Sequence, residues 1–378
     1  MDIVITNIGQ LVTPVENALG GDGQSCGLQI TSNASLCIRN GRIVDDHPPK
    51  GAKQVRTIDA GGCVAIPGLI DPFWVMPRLP TWMDEVPESK LPGNDLLSWS
   101  LRLLQRGLRT GVTTVEVKCP HDSEFTGLEA LGHLTQHHQP RVVGTLLASL
   151  PECSEDRDRT MSTLIGDVIP EIRRRRLATF CDVGWGSHSG YITEARTVLR
   201  AASGAGLRPK LHIQAPPLAE DVRDLALSLE VAAIGCASHL PSLAAQHLSE
   251  GNVFPVYLPI VPGGQAGQCL HVRALIDQGV RIAIGSGNGL LGSTSRSMWA
   301  VLTSAVNHMG MSLPEAICAC TLNNAMAIEM SHEVGSLEPG KRADLALLDL
   351  VDFRELETVV DSPPVSMVMV NGEIVFSL

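Results

Sequence analysis

The chain has 378 residues, 44% of them hydrophobic and 18% charged, with a formal net charge of −11. That length and balance predict an ordered globular protein built as one large domain and a smaller one. The negative charge disfavours nucleic acid or an anionic membrane surface as the main partner.

The start, MDIVITNIGQLVTP, has neither a basic n-region nor a long apolar core and does not read as a signal peptide. No apolar run is long enough to span a bilayer. The ten cysteines lie scattered through apolar stretches, the pattern of reduced thiols in a cytoplasmic protein. Residues 1–66 read as strands. IVITNIGQLVT, LQITSNASLCIRNGRIV and QVRTIDAGG alternate apolar with polar residues between Gly, Asn and Asp. Asn40-Gly41 between two apolar runs predicts a hairpin turn, and the loop around ALGGDGQSCG should be exposed.

From residue 66 the texture changes. Eight short apolar runs, at 66–75, 113–120, 141–149, 178–186, 209–216, 231–239, 253–262 and 281–289, alternate with amphipathic segments such as LLSWSLRLLQRGLRTG. Strands buried on both faces read as unbroken apolar runs, and crossover helices separate parallel strands. Eight such units predict an α/β fold, a (β/α)8 TIM-like barrel. Arg173–Arg176 read as the solvated end of a helix, where cations suit the C-terminal dipole. Ser312-Leu313-Pro314-Glu315 reads as an N-cap, an early Pro and a Glu at N3 of a later helix. The tail returns to strands, with a second turn at Asn371-Gly372. The two strand-rich ends are expected to form a small β-sandwich domain from residues 1–66 and 336–378, with the barrel over 67–335.

Five stretches carry a family likeness: IDAGGCVAIPGLIDP at 58–72, GVTTVEVK at 111–118, KLHIQ at 210–214, ASHL at 237–240 and GSLEPGKRADLALLD at 335–349. With them the chain resembles the amidohydrolase superfamily, and within it the imidazolonepropionase branch, over nearly its whole length. The resemblance implies a barrel with an extra β-sandwich and hydrolysis of a non-peptide C–N bond, typically in a cyclic amide, by metal-bound water. Such a zinc or iron needs about three or four protein ligands and an open position, where the bound water falls to a pKa of about 7. In the family the ligands are two His on strand one, a His on strand five and an Asp on strand eight that is also the general base. A His on strand six polarises the substrate carbonyl.

Carried onto this sequence, the resemblance is uneven. The strand-one positions hold Phe73 and Val75, and the strand-eight position holds Ser286. His212 and His239 keep the imidazoles of strands five and six. Three of four ligand positions therefore differ, and the expectation is no resident metal. Phe73, Trp74 and Val75 read as packing in the barrel mouth. After VEVK the family continues Ser-Gly-Tyr, whereas this chain has Cys119-Pro120-His121. Arg78 lies where a substrate-binding Arg is expected, and Gln214 offers an amide two positions beyond His212.

The residues leave three functional readings open. The first is an imidazolonepropionase-like homologue with a degenerate metal site, inactive or nearly so, that still binds a small molecule. Its substrate contacts would be His121, Gln214, Arg78 and Ser286. The second is an active hydrolase. It uses zinc or iron at a displaced site of His121, His188, His212 and His239, or metal-free acid–base chemistry at His212 and His239. The third is a scaffold or homo-oligomer with an idle mouth. Cys119 beside Lys118, and Ser286 if an imidazole reaches it, are candidate nucleophiles, with plain replacement as the alternative. The loop Gly285-Ser286-Gly287-Asn288-Gly289 reads as a tight turn rather than an anion cradle, since it holds no cation before Arg296.

Overall fold

The computed structural model describes residues 2–16, 26–45, 55–76, 96–121, 125–136, 140–151, 153–185, 191–213, 219–240, 252–261, 268–290, 297–358 and 364–378. Most of the predicted exposed loop at 18–27 lies outside them. Both ends of the chain contribute to one mixed sheet. Its strands are β1 (Asp2–Glu16), β2 (Cys26–Arg39), β3 (Arg42–Val44), β4 (Val55–Asp59), β5 (Val64–Pro67), β14 (Leu345–Leu348), β15 (Val365–Val370) and β16 (Glu373–Ser377). The order is β16-β15-β14-β5-β1-β2-β3, with β4 also on β1. Their apolar faces meet in one cluster that joins Ile5 and Ile8 to Leu36, Ile38, Leu345 and Met369.

Two Asn-Gly turns shape this sheet. Asn40 and Gly41 have φ of 51° and 76°, and Asn371 and Gly372 have φ of 53° and 77°. Two consecutive left-handed residues give the turn whose twist matches the strands it joins. The turns also touch, since a Cβ on Gly41 would stand 2.5 Å from the Asn371 carbonyl oxygen.

The eight predicted runs become eight parallel strands in sequential order. They are β6 (Leu69–Val75), β7 (Val112–Pro120), β8 (Arg141–Ala148), β9 (Phe180–Trp185), β10 (Arg208–Ile213), β11 (Ala233–Gly235), β12 (Phe254–Tyr257) and β13 (Ala283–Ile284). Backbone contacts just past β13 close the barrel. Trp74 pairs with Asn288 in a parallel bridge. The Val75 N–H donates to the Asn288 carbonyl at 2.7 Å, and the Gly287 N–H to that of Phe73 at 3.1 Å. Several runs are shorter as strands than the sequence predicts, β11, β12 and β13 most of all. After β11 the chain turns at Cys236, φ 54°, into a 3-10 turn at Ala237–His239. After β13 it leaves the ladder for the closing seam.

Helices such as Leu96–Arg109, Thr126–Gln136 and Tyr191–Gly204 pack outside the barrel. The Arg quartet ends the helix Ile169–Arg175, with Arg176 left-handed at its C-cap. Ser312 and Glu315 form the expected capping box on the helix Leu313–Cys320. No helix among the described residues is long and apolar enough to cross a membrane.

Candidate active site in the barrel interior

Strand alternation decides what faces the barrel axis. On β7, Val115, Val117 and Cys119 join the apolar layer beneath the helices, while Glu116 and Lys118 turn the other way. Asp182 of β9 and Lys210 and His212 of β10 join them. All five side chains are buried. Lys118 Nζ donates to Glu116 at 2.7 Å and to Asp182 at 2.6 Å. Lys210 Nζ donates to the other Glu116 oxygen at 2.6 Å. Thr145 of β8 donates to Glu116 at 2.7 Å, and His212 Nδ1 meets Asp182 at 2.9 Å.

Two carboxylates and two ammonium groups thus neutralise one another out of water, the condition under which buried charge is tolerable. Burial works against the charge on Lys118, but Asp182 and Glu116 outweigh it and hold its pKa above the ordinary value. Lys210 has one carboxylate and a neighbouring cation, so burial prevails and lowers it to about 8. Burial likewise opposes the charges on Glu116 and Asp182. The lysines, and for Asp182 also His212, more than offset it and hold both carboxyls below their usual range. An ionised Asp182 fixes the His212 tautomer with the proton on Nδ1, leaving Nε2 as the basic nitrogen.

The other side of the interior is apolar. Phe73 packs with Leu147, Ala233, Val256 and Leu258, and Val75 belongs to the same cluster. The Phe73 ring lies edge-on to His212, centroids 6.3 Å apart, and Lys118 Nζ sits 4.6 Å from its centroid. A Cβ on Gly235 would stand 2.3 Å from Phe73 Cε2, so the ring occupies space that only a glycine leaves.

Ser286 is fully buried at the seam. Its hydroxyl donates to Asp71 at 2.5 Å and accepts from the Asn288 N–H at 3.0 Å, while its own N–H donates to Asp71 at 3.1 Å. Its partner is a carboxyl rather than an imidazole. Burial raises the Asp71 carboxyl to about 6 against the pull of these hydrogen bonds. The glycine loop is tight because the seam is tight. Gly289 has φ 82°, and a Cβ there would stand 2.0 Å from the Val75 carbonyl oxygen.

The sequence-predicted site residues divide accordingly. His212 is inside, Ser286 is at the seam, and His121 is half-buried just past β7. His239 lies on the turn after β11, its side chain outside the described residues. Arg78, His188 and Gln214 also lie outside them. Cys119, in the helix-side layer, has its thiol 3.3 Å from the Pro120 carbonyl oxygen. Sequence reading missed the ion cluster as a unit. Its signal was present: charges two residues apart in VEVK and KLH, and a lone Asp in FCDV, must share a face and a partner inside apolar runs.

A metal tests these donors further. Among the described residues no group of three or more His, Cys, Asp or Glu side chains is disposed to hold an ion. Glu116 and Asp182 are committed to lysines, and Phe73 offers no lone pair.

The amidohydrolase family model matches residues 187–375. Imidazolonepropionase of Geobacillus thermodenitrificans is 33% identical, over 92% of this chain and 91% of its own. That of Brevibacillus brevis is 30% identical, over 92% and 91%. Among solved structures, Escherichia coli guanine deaminase aligns over 100% of this chain and 99% of its own with a TM-score of 0.71 at 15% identity. N-isopropylammelide isopropylaminohydrolase of Burkholderia multivorans aligns over 99% and 98% with a TM-score of 0.71 at 18% identity. At those identities the structural matches speak for the fold alone. The sequence relatives cover nearly the whole chain, and on that ground it belongs to the amidohydrolase family, as an imidazolonepropionase-like member.

Proposed function

We propose that this protein descends from metal-dependent hydrolases of cyclic C–N bonds but no longer runs that reaction, and that its barrel mouth binds a small molecule. The observation that carries this is Phe73. At a position where the family has a metal-binding imidazole, its ring is packed against His212, Lys118 and the bare backbone of Gly235. Val75 and Ser286, at two further ligand positions, are engaged in packing and in the Asp71 seam. What remains in the interior is a self-neutralised ion cluster with one oriented imidazole. In this reading the chain resides in the cytoplasm, with residues 67–335 as the barrel domain and 1–66 with 336–378 as the smaller one.

Elemental analysis of untagged protein, paired with an imidazolonepropionase assay with and without added zinc or iron, tests the proposal. We expect well under one metal per chain and no turnover. About one tightly held zinc or iron per chain would overturn it and favour a displaced histidine site. The Asp182–His212 pair supports a second reading, metal-free acid–base catalysis. There, turnover without metal would vanish in both His212→Ala and His239→Ala.

A further inference from the structure

The end of the barrel opposite the strand-end histidine carries a cleft of about 650 Å³. It opens where β10 and β12 begin and where the terminal sheet meets the barrel, with Glu16 from the end of β1 on its rim. Leu28 of β2 and Phe254 of β12 both pack there against Cys318, Leu322 and Met326, so the cleft lies along a seam between sheet and barrel. Small-molecule sites favour such junctions, and their volumes run from about 300 to 1,000 Å³.

The two arginines lining the cleft differ in their commitments. Arg208 grips Glu329 through Nε and Nη2, at 2.6 to 3.0 Å, and lies 4.0 Å from Glu230. Arg281 forms no ion pair among the described residues; its Nη1 meets the thioether sulfur of Met326 at 3.3 Å, a weak acceptor. The rest of the lining mixes polar and apolar side chains. Phe254 belongs to it, and Leu227 is 42% exposed, one of five large hydrophobic side chains so exposed among the described residues. A guanidinium without an ion pair among the described residues and exposed apolar surface thus line one cleft, a complementary pair of half-sites.

We propose that this cleft binds a small-molecule monocarboxylate with an apolar body. Its carboxylate pairs with Arg281 and its body covers Leu227 and Phe254. A guanidinium fork matches a carboxylate in shape as well as charge. Glu16, Glu230 and Glu329 around the cleft select against ligands carrying two or more negative charges, since among the described residues Arg281 is the one lining cation without an ion pair. The site is separate from the barrel interior, so it stands whether or not the mouth binds anything.

Calorimetric titration with decanoate below its micelle concentration, and with the uncharged decanamide, tests the assignment. We expect saturable decanoate binding at one per chain, and about tenfold or more weaker binding of decanamide. Arg281→Gln should weaken decanoate by a similar factor and leave decanamide unchanged. Leu227→Glu should weaken both, with thermal melts reporting that each variant is folded. Absence of saturable decanoate binding, or equal decanoate affinity in wild type and Arg281→Gln, overturns the proposal. So does sedimentation showing a dimer that Leu227→Glu splits, because the cleft would then be filled by a second copy.

Discussion

Phe73 on β6 and Gly235 on β11 face each other in the barrel interior, where a Cβ on the glycine would stand 2.3 Å from the phenylalanine ring. Each residue needs the other. The ring fits because the glycine presents only backbone, and without the ring the interior would be left with a void. The imidazole of His212 and the ammonium of Lys118 border the same ring, so packing on one wall sets how the polar wall is arranged.

Gly235→Ala should therefore destabilise the fold by about 1–3 kcal/mol, the usual cost of overpacking a core. Phe73→Leu should cost a comparable amount by leaving space. The double variant should be more stable than the sum of the two predicts, by at least about 0.5 kcal/mol. Urea denaturation of the four proteins measures the coupling. Simple additivity would mean the two residues do not share that space.

The two buried lysines should differ in importance. Lys118 bridges Glu116 and Asp182, whereas Lys210 reaches Glu116 alone. Lys118→Met strips Asp182 of its ammonium partner and Glu116 of one of two, an expected loss of about 3–5 kcal/mol. Lys210→Met should lose less, because the amine is already held with its pKa depressed to about 8. Equal losses in denaturant melts would contradict the bridging role of Lys118.

Asp71 should make stability depend on pH in the opposite sense to the cluster carboxylates. Burial raises its pKa from 3.8 to about 6. Between those values the folded chain keeps a proton that the unfolded chain has released. Its contribution is full below the unfolded pKa and is lost as pH rises through the folded one, about 3 kcal/mol in all. Asp71→Asn should gain on wild type by up to about that amount between roughly pH 4 and pH 7. A pH-independent difference between the two proteins would exclude Asp71 as the titrating group.

Glu116 and Asp182 carry the converse dependence. Their folded pKa values are depressed, so their stabilisation is present above the unfolded values and is lost as pH falls through the folded ones. Asp182→Asn should flatten the acid limb of the wild-type stability profile, at a cost in stability at neutral pH because Lys118 loses a charged partner. Acid titration followed by circular dichroism reads both effects. An unchanged acid limb would place the acid sensitivity elsewhere.

Much of the architecture was legible before the fold. Eight apolar runs between amphipathic segments became β6 to β13, because strands covered on both faces leave little room for polar residues. Asn40-Gly41 and Asn371-Gly372 announced their hairpins, since few residue pairs accept two left-handed conformations in a row. The ends of β11 and β13 were less legible. There Cys236 turns left-handed and the segment after Ile284 closes the barrel, departures set by neighbouring strands.

The candidate site divides along the same line. From the sequence by itself came the residue types: Phe73 and Val75 where imidazoles were expected, Ser286 where a carboxylate was, and an intact His212. Local chemistry and alternation suffice for that, because they depend on spacing along one strand. Only the tertiary structure decided the partners. It turned Ser286 to Asp71, tied His212 to Asp182, and joined Glu116 and Lys118 of β7 to residues of β9 and β10 in one neutral cluster. Those pairings span up to 215 residues of chain. No local pattern encodes them; they follow from closing eight strands around one dry interior, where each buried charge must find its opposite.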